Sequence, residues 1–247
     1  MAGEAGADAG VTEESTTIEK QEIILKNFSN IVGVTLLSFA ILPGSLAQKK
    51  VSELTIIYDY ALVSGTKGAQ NNSSLSPTTL TIYLKGNLCR TEMASALFFS
   101  TTFYDAKTGS AVILKEVSGQ KLLIRMAAED LQEKNKRYEG LTYSNEPETK
   151  IIAGYKCIKA IAKTKDGLTV TVYYTKDLIP DNKDYEPQFK NLDGLPLEYE
   201  LTNGNLKIKY TLSSINLNPI PESKFDIPKS GYREMTYEES KKLRVAN

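Results

Sequence analysis

The sequence predicts a mainly β fold with a minor α component: a curved antiparallel sheet carrying short covering helices. Runs that alternate apolar and polar residues recur from residue 51 to residue 212. Tight-turn dipeptides separate them, Gly86-Asn87, Asp166-Gly167 and Asn203-Gly204. Only two internal stretches carry a helical signature, residues 128–138 and a segment starting at Thr236.

In residues 51–63, Leu54, Ile56, Tyr58, Tyr60 and Leu62 share one face of a long strand. Residues 65–77 form a polar Gly/Ser/Asn-rich loop. Residues 79–93 read as a hairpin turned at Gly86-Asn87. Leu80, Ile82 and Leu84 then face the same way as Cys89, Thr91 and Met93, while Tyr83 opposes Arg90 and Thr81 opposes Glu92. Residues 96–104 make a strand, and residues 111–117 and 121–127 pair across Ser118-Gly119-Gln120. In residues 128–138 acids lead and bases follow, the order the helix dipole prefers. A short extended piece follows at residues 141–143, and residues 148–163 and 168–175 pair across Asp166-Gly167. Residues 178–193 are expected to be a long polar loop.

Residues 194–212 give the clearest hairpin, turned at Asn203-Gly204 with Glu200 opposite Lys207 and Glu198 opposite Lys209. Its dry face is Leu197, Tyr199, Leu201, Leu206, Ile208 and Tyr210. Residues 216–221 are extended and residues 225–227 form a last short strand. Thr236 followed by Glu239 opens a capped helix reaching about residue 243.

Composition removes much chemistry. The 247 residues include no histidine and two cysteines, which excludes Ser-His-Asp and Cys-His nucleophiles and histidine-ligated metal centres. No GxSxG-type motif is present, so the chain is read as a non-enzyme without cofactor or metal. Residues 1–47 hold six acids and two bases, leaving 28 bases and 24 acids in the remainder. With no basic cluster interleaved with aromatics, nucleic acid is not an expected partner.

The first 24 residues are Gly/Ala/Glu/Thr-rich and read as a disordered leader. Residues 31–42 are an apolar run, broken by Pro43-Gly44 and followed by Ser45-Leu46-Ala47 before Gln48. The run is shorter than the roughly 20 apolar residues of a membrane span. Together these are the parts of a secretory signal peptide. The acidic leader does not belong to such a peptide, so the true start is expected near residue 25. Residues 1–47 are thus a leader plus signal peptide and residues 48–247 a single β-rich domain. The expected location is the periplasm or the exterior, with at most peripheral membrane contact.

Four segments carry a family resemblance. TLTIYLKGNLCRTEM resembles an IYxKGNKxRxE hairpin, ETKIIAGYKCIKAIAKTKDG an ETKTIAGYKCKKAVxKxxDG segment, and FDIPKSGYREMTYEE an FxIPxGYKEMT tail. GLPLEYEL is similar to the Gly-Leu-Pro segment that names the GLPGLI-like envelope domains of unknown function. The resemblance implies export and a fold related to the lipoprotein carriers LolA and LolB, a half-barrel round an apolar hollow. It brings no catalytic residues.

On this reading the candidate ligand-binding residues are Tyr58, Tyr60, Phe98, Phe103, Tyr174, Leu197, Tyr199 and Tyr210. They either line a hollow for a lipid, an acyl chain or a lipidated partner, or fill a core and leave a module that binds another protein. Cys89 and Cys157 either pair in an oxidising compartment or stay as two buried thiols. Glu198 and Glu200 share a face, as paired catalytic carboxylates would, but the opposing lysines make them a solvated ion-pair ladder. Asp177, Asp181, Asp184 and Glu186 lack DxDxDG spacing and read as a polar loop rather than a calcium site.

Overall fold

The computed structural model describes residues 48–64, 78–95, 98–117 and 119–245. The leader, the signal peptide, the loop 65–77 and the side chain of Phe98 lie outside the described residues.

The chain forms β1 (Lys49–Val51), β2 (Glu53–Ser64), β3 (Thr78–Lys85), β4 (Leu88–Ala94), β5 (Phe98–Asp105), β6 (Ser110–Val117) and β7 (Gln120–Met126). Helix α1 (Ala128–Asn135) follows, with a 3-10 turn at Lys136–Tyr138. Then come β8 (Ser144–Ile152), β9 (Tyr155–Lys163), β10 (Thr169–Thr175), β11 (Leu178–Pro180), β12 (Leu195–Asn203), β13 (Leu206–Asn216), β14 (Arg233–Thr236) and α2 (Tyr237–Val245). Twelve strands make one sheet in the order β14-β7-β6-β5-β4-β3-β2-β13-β12-β10-β9-β8. Every pairing in it is antiparallel except β14 with β7, and β1 and β11 form a separate parallel ladder. The sheet is large, curved and open.

Alternation positions the core. Strand β3 buries Thr78, Leu80, Ile82 and Leu84 and turns the residues between them outward. Leu80, Ile82 and Leu84 join Leu54, Ile56 and Tyr58 from β2 and Val170, Val172 and Tyr174 from β10 in one concave-face cluster. Fully burying each of the aliphatic members contributes roughly 1.5–3 kcal/mol. Both helices cover the β5–β7 end. Leu131 of α1 packs on Ala111, Ile113, Ile124 and Met126, and Met235 and Tyr237 join them from the C-terminal segment. The α2 capping box forms as its sequence predicts. The Glu239 amide donates to Thr236 Oγ1 at 3.2 Å and the Thr236 amide to Glu239 Oε2 at 2.7 Å.

The tail crosses the outer face before it reaches α2. The Ile220 amide donates to Glu53 Oε2 at 2.7 Å, Lys85 Nζ to the Ile220 carbonyl at 2.7 Å, and Arg90 to the Lys224 carbonyl at 2.6 Å. Tyr232 then packs on Phe103, Val112, Leu114 and Leu123, and β14 closes the edge of β7.

Several expectations are corrected. The strand expected at residues 225–227 is the end of a 3-10 turn (Glu222–Phe225), and the real strand, β14, lies six residues later without an alternating pattern to mark it. The segment 148–163 is two strands, because Ala153 and Gly154 both take positive φ (49° and 83°) and turn the chain back. The β12–β13 turn falls at Gly204-Asn205, one residue later than expected, with Gly204 at φ 58° and no positive φ at Asn205. That is the type II′ pattern. Tyr199 therefore opposes Tyr210, not Ile208. The slip is two residues along β13, so every side chain keeps its face. Cys89 and Cys157 are free and buried on β4 and β9, with five strands between them in sheet order, so the disulfide alternative is set aside.

The Gly-Leu-Pro segment has a structural cause. A Cβ on Gly194 would lie 2.1 Å from the Thr175 carbonyl oxygen and 2.8 Å from the Tyr174 ring. The register of β10 on β12 shifts there, Tyr173 opposing Glu198 and Tyr174 opposing Pro196. A proline cannot donate to a ladder, and the Pro196 carbonyl accepts instead from the buried Tyr58 hydroxyl at 2.7 Å.

Two stability outcomes follow from these turns. Ala153→Asn should raise unfolding stability by about 0.5–1 kcal/mol, since Ala153 holds a left-handed conformation that asparagine tolerates; urea midpoints of the two proteins check it. Gly194→Ala should lose about 3 kcal/mol or more, because backbone and not a flexible side-chain tip must give way; thermal unfolding at matched concentration reads the loss.

Candidate functional site

The aromatic side chains singled out in the sequence do not share one fate. Tyr58, Tyr174, Leu197, Tyr199 and Tyr210 are buried together in the concave-face cluster, and Tyr60 packs against it half-buried. Tyr199 stacks on Tyr210 with ring centres 4.3 Å apart and meets Tyr58 edge-on at 5.5 Å; Tyr60 stacks on Tyr210 at 5.5 Å. Phe103 is a correction. It opposes Arg90 on the outer face, under the Arg90 guanidinium at 5.1 Å, because residue 104 and not 103 has the inward phase of β5. Phe98 is in β5, with its side chain outside the described residues.

This aromatic wall is covered by the chain itself. The stretch expected to be a polar surface loop contains β11 and two 3-10 turns, Lys183–Tyr185 and Pro187–Phe189. Tyr185, Phe189 and Leu192 from it are buried in the cluster, and Phe189 meets the Tyr199 ring edge-on at 4.8 Å. Asn191 Nδ2 donates to the Leu141 carbonyl at 2.8 Å, the Tyr143 hydroxyl to the Gln188 carbonyl at 2.8 Å, and Asn182 Nδ2 to the Asn87 carbonyl at 3.3 Å. Residues 181–193 thus act as a strap that fills the β10–β13 side of the hollow. Sequence reading missed it because charged residues dominate the stretch; the signal was Tyr185, Phe189 and Leu192 spaced three or four apart.

The hollow stays open beside the strap. A cleft of about 710 Å³ lies between the strap, α1 and strands β4–β6. Tyr104, Ala111, Leu131, Tyr138 and Tyr185 supply apolar surface, and Lys134, Lys136 and Lys190 line it as exposed residues. Lys190 pairs with Asp184 at 2.7 Å.

Glu186 lines the cleft from the strap. The residue is only partly exposed, and burial of its carboxyl pushes the pKa up to about 7. A hydrogen bond from Gln188 Nε2 to Glu186 Oε2, at 2.7 Å, and the charge of Lys134 oppose the rise without cancelling it. The hydroxyl of Tyr185 is buried without a hydrogen-bond partner among the described residues.

The other candidate acids behave as a surface. Burial raises Glu198, but hydrogen bonds from Lys150 at 2.7 Å and Lys209 at 3.1 Å overcome it and hold the carboxyl below its ordinary value. Glu200 pairs with Lys207 at 2.8 Å. Among the described residues, Asp177, Asp181, Asp184 and Glu186 do not converge as a metal-binding cluster. Buried Cys89 is pushed up to about 12 and Cys157 to about 11 by burial, so neither is a reactive thiolate.

No family model matches the chain, and no curated protein matches it. Among solved structures it is similar to PNGF-II, at 13% identity and a TM-score of 0.44 over 78% of this chain and 33% of that one, so it spans about a third of PNGF-II. It is similar to a β-barrel-like protein of a domain of unknown function from Brucella abortus, at 9% identity, a TM-score of 0.36, 69% of this chain and 99% of that one. It is also similar to a chain of the Pseudomonas aeruginosa MucA/MucB complex, at 13% identity, a TM-score of 0.37, 71% of this chain and 56% of that one. Among the described residues no helix is long and apolar enough to cross a membrane.

The raised pKa of Glu186 has a stability consequence with a definite sign. The folded chain keeps the proton up to about pH 7, whereas the unfolded chain releases it near the ordinary value of 4.5. The folded state binds more protons between those values, so this group's contribution to stability is present below pH 4.5 and is lost as pH rises to about 7. Glu186→Gln should remove that decline, which urea midpoints across pH 4.5–8 measure.

Proposed function

We propose that this chain is an exported, non-catalytic binding protein of GLPGLI-like type that holds an apolar or amphiphilic ligand. The ligand lies in the cleft between α1 and the strap, not on the aromatic wall. The observation that carries this is the cleft itself, about 710 Å³ on the concave face. Its volume falls within the roughly 300–1,000 Å³ range of small-ligand sites. Polar and charged side chains outnumber apolar ones in its lining, so tyrosine, leucine and alanine surface is interleaved with groups that can orient a ligand head. The absence of histidine and of a nucleophile motif supports a non-catalytic role. The signal-peptide features of residues 25–47 support a periplasmic or secreted location.

A second reading has its own observation. The strap fills the β10–β13 side of the hollow with Tyr185, Phe189 and Leu192, as a module that binds another protein would have it.

The two readings separate on chain length. A ligand buried in the cleft gains about 0.8 kcal/mol per methylene, so affinity should rise about fourfold per carbon from octanol to dodecanol. Gln132→Trp, at an exposed α1 position on the cleft, should abolish that binding while leaving the unfolding midpoint unchanged. Calorimetric titration reads both. An absence of binding for the whole series, or equal affinity along it, would favour the protein-binding module.

A further inference from the structure

We propose that the cleft selects a ligand with a cationic head, a protonated amine on an alkyl or acyl body, seated against Glu186. This rests on the cleft being the ligand site and names the chemistry of its occupant.

The charge arrangement leads there. Glu186 is a partly buried acid in the cleft, hydrogen-bonded by the neutral amide of Gln188 at 2.7 Å and within the field of Lys134. Its neighbour Asp184 is already paired, with Lys190. The charge of Lys134 only partly offsets the cost of taking this carboxylate out of water, and a proton stays on it to about pH 7. An ammonium group can replace that proton and supply several charge-assisted hydrogen bonds.

The walls suit the same head. Tyr104, Tyr138 and Tyr185 line the cleft, and aromatic faces attract cations by roughly 0.5–2 kcal/mol. Tyr185 also brings its unpartnered hydroxyl. Ala111 and Leu131 offer apolar surface for the body of the ligand. An anionic head finds Lys134, Lys136 and Lys190 in the cleft lining, but against Glu186 it is held off once that carboxyl ionises.

The groups electrostatically coupled to Glu186 are Lys134 on α1, Tyr138 after it, Tyr58 on β2, Cys89 on β4, and Tyr199 and Tyr210 on β12 and β13, with Tyr185 on the strap. Burial raises every tyrosine and the cysteine in this set, so near neutral pH all are uncharged and Glu186 alone changes state.

The test titrates the full chain with decylamine, decanol and decanoate at pH 5.5 and pH 8. Decylamine stays protonated across this range while Glu186 loses its proton, so its affinity should rise about 30-fold for a carboxyl titrating near pH 7. Decanol should change little, and decanoate should weaken. Glu186→Gln should remove the rise for decylamine and leave decanol binding intact. Should that variant fail to fold, the wild-type profiles of the three ligands decide alone. Binding of decanol with no pH-dependent gain for decylamine overturns the cationic head and leaves the cleft as a site. Failure of all three to bind overturns the cleft reading and this inference with it.

Discussion

The close approach of Gly194 to the Thr175 carbonyl decides how the chain re-enters the sheet. Without a side chain at 194, β12 can start directly against the end of β10, shifted by one position at Tyr173/Tyr174. The shift leaves the Pro196 carbonyl for the Tyr58 hydroxyl, which ties β2 to β12 through the core although β13 stands between them in the sheet. Tyr58 in turn sets the ring geometry of Tyr199, and Tyr199 sets where Phe189 of the strap rests. The Gly-Leu-Pro motif, met in the sequence as part of a family resemblance, has an architectural role here.

The strap divides the hollow into two unequal environments. On the β10–β13 side aromatic rings meet at 4.3–5.5 Å. On the β4–β6 side the sheet surface is left for the cleft, with α1 as the opposite bank. Glu186 sits on the strap between these environments, which is why its charge is coupled both to core tyrosines and to a helix lysine.

Much of the fold was legible because alternation and turn chemistry act locally. The β3–β4 register, Tyr83 against Arg90 and Thr81 against Glu92, follows from Gly86-Asn87 alone. The dry and wet faces of β12 and β13 survive a wrong turn position, since a two-residue slip preserves parity. Legibility failed where structure depends on distant partners. Strand β14 exists because β7 offers an edge, and β11 because β1 does. The site was legible only in part. Alternation marked Tyr58, Tyr199 and Tyr210 as facing inward but said nothing of what would cover them. Glu186 looked like one more loop acid, because burial of a carboxylate is decided by the strap's path and not by neighbouring residues.

The tail that crosses the outer face and ends in β14 also bears on when the molecule can be finished. Strand β2 waits for β13, β1 for β11, and β7 for β14, each made much later in the chain. Pairings so distant in sequence make folding slow, because loop closure precedes the contacts that reward it. Until residues 233–236 emerge, the long edge of β7 stays unpaired and open to other strands. The β7 edge is thus among the last parts of the sheet to be completed, long after the β2–β7 meander in which each strand pairs with the next.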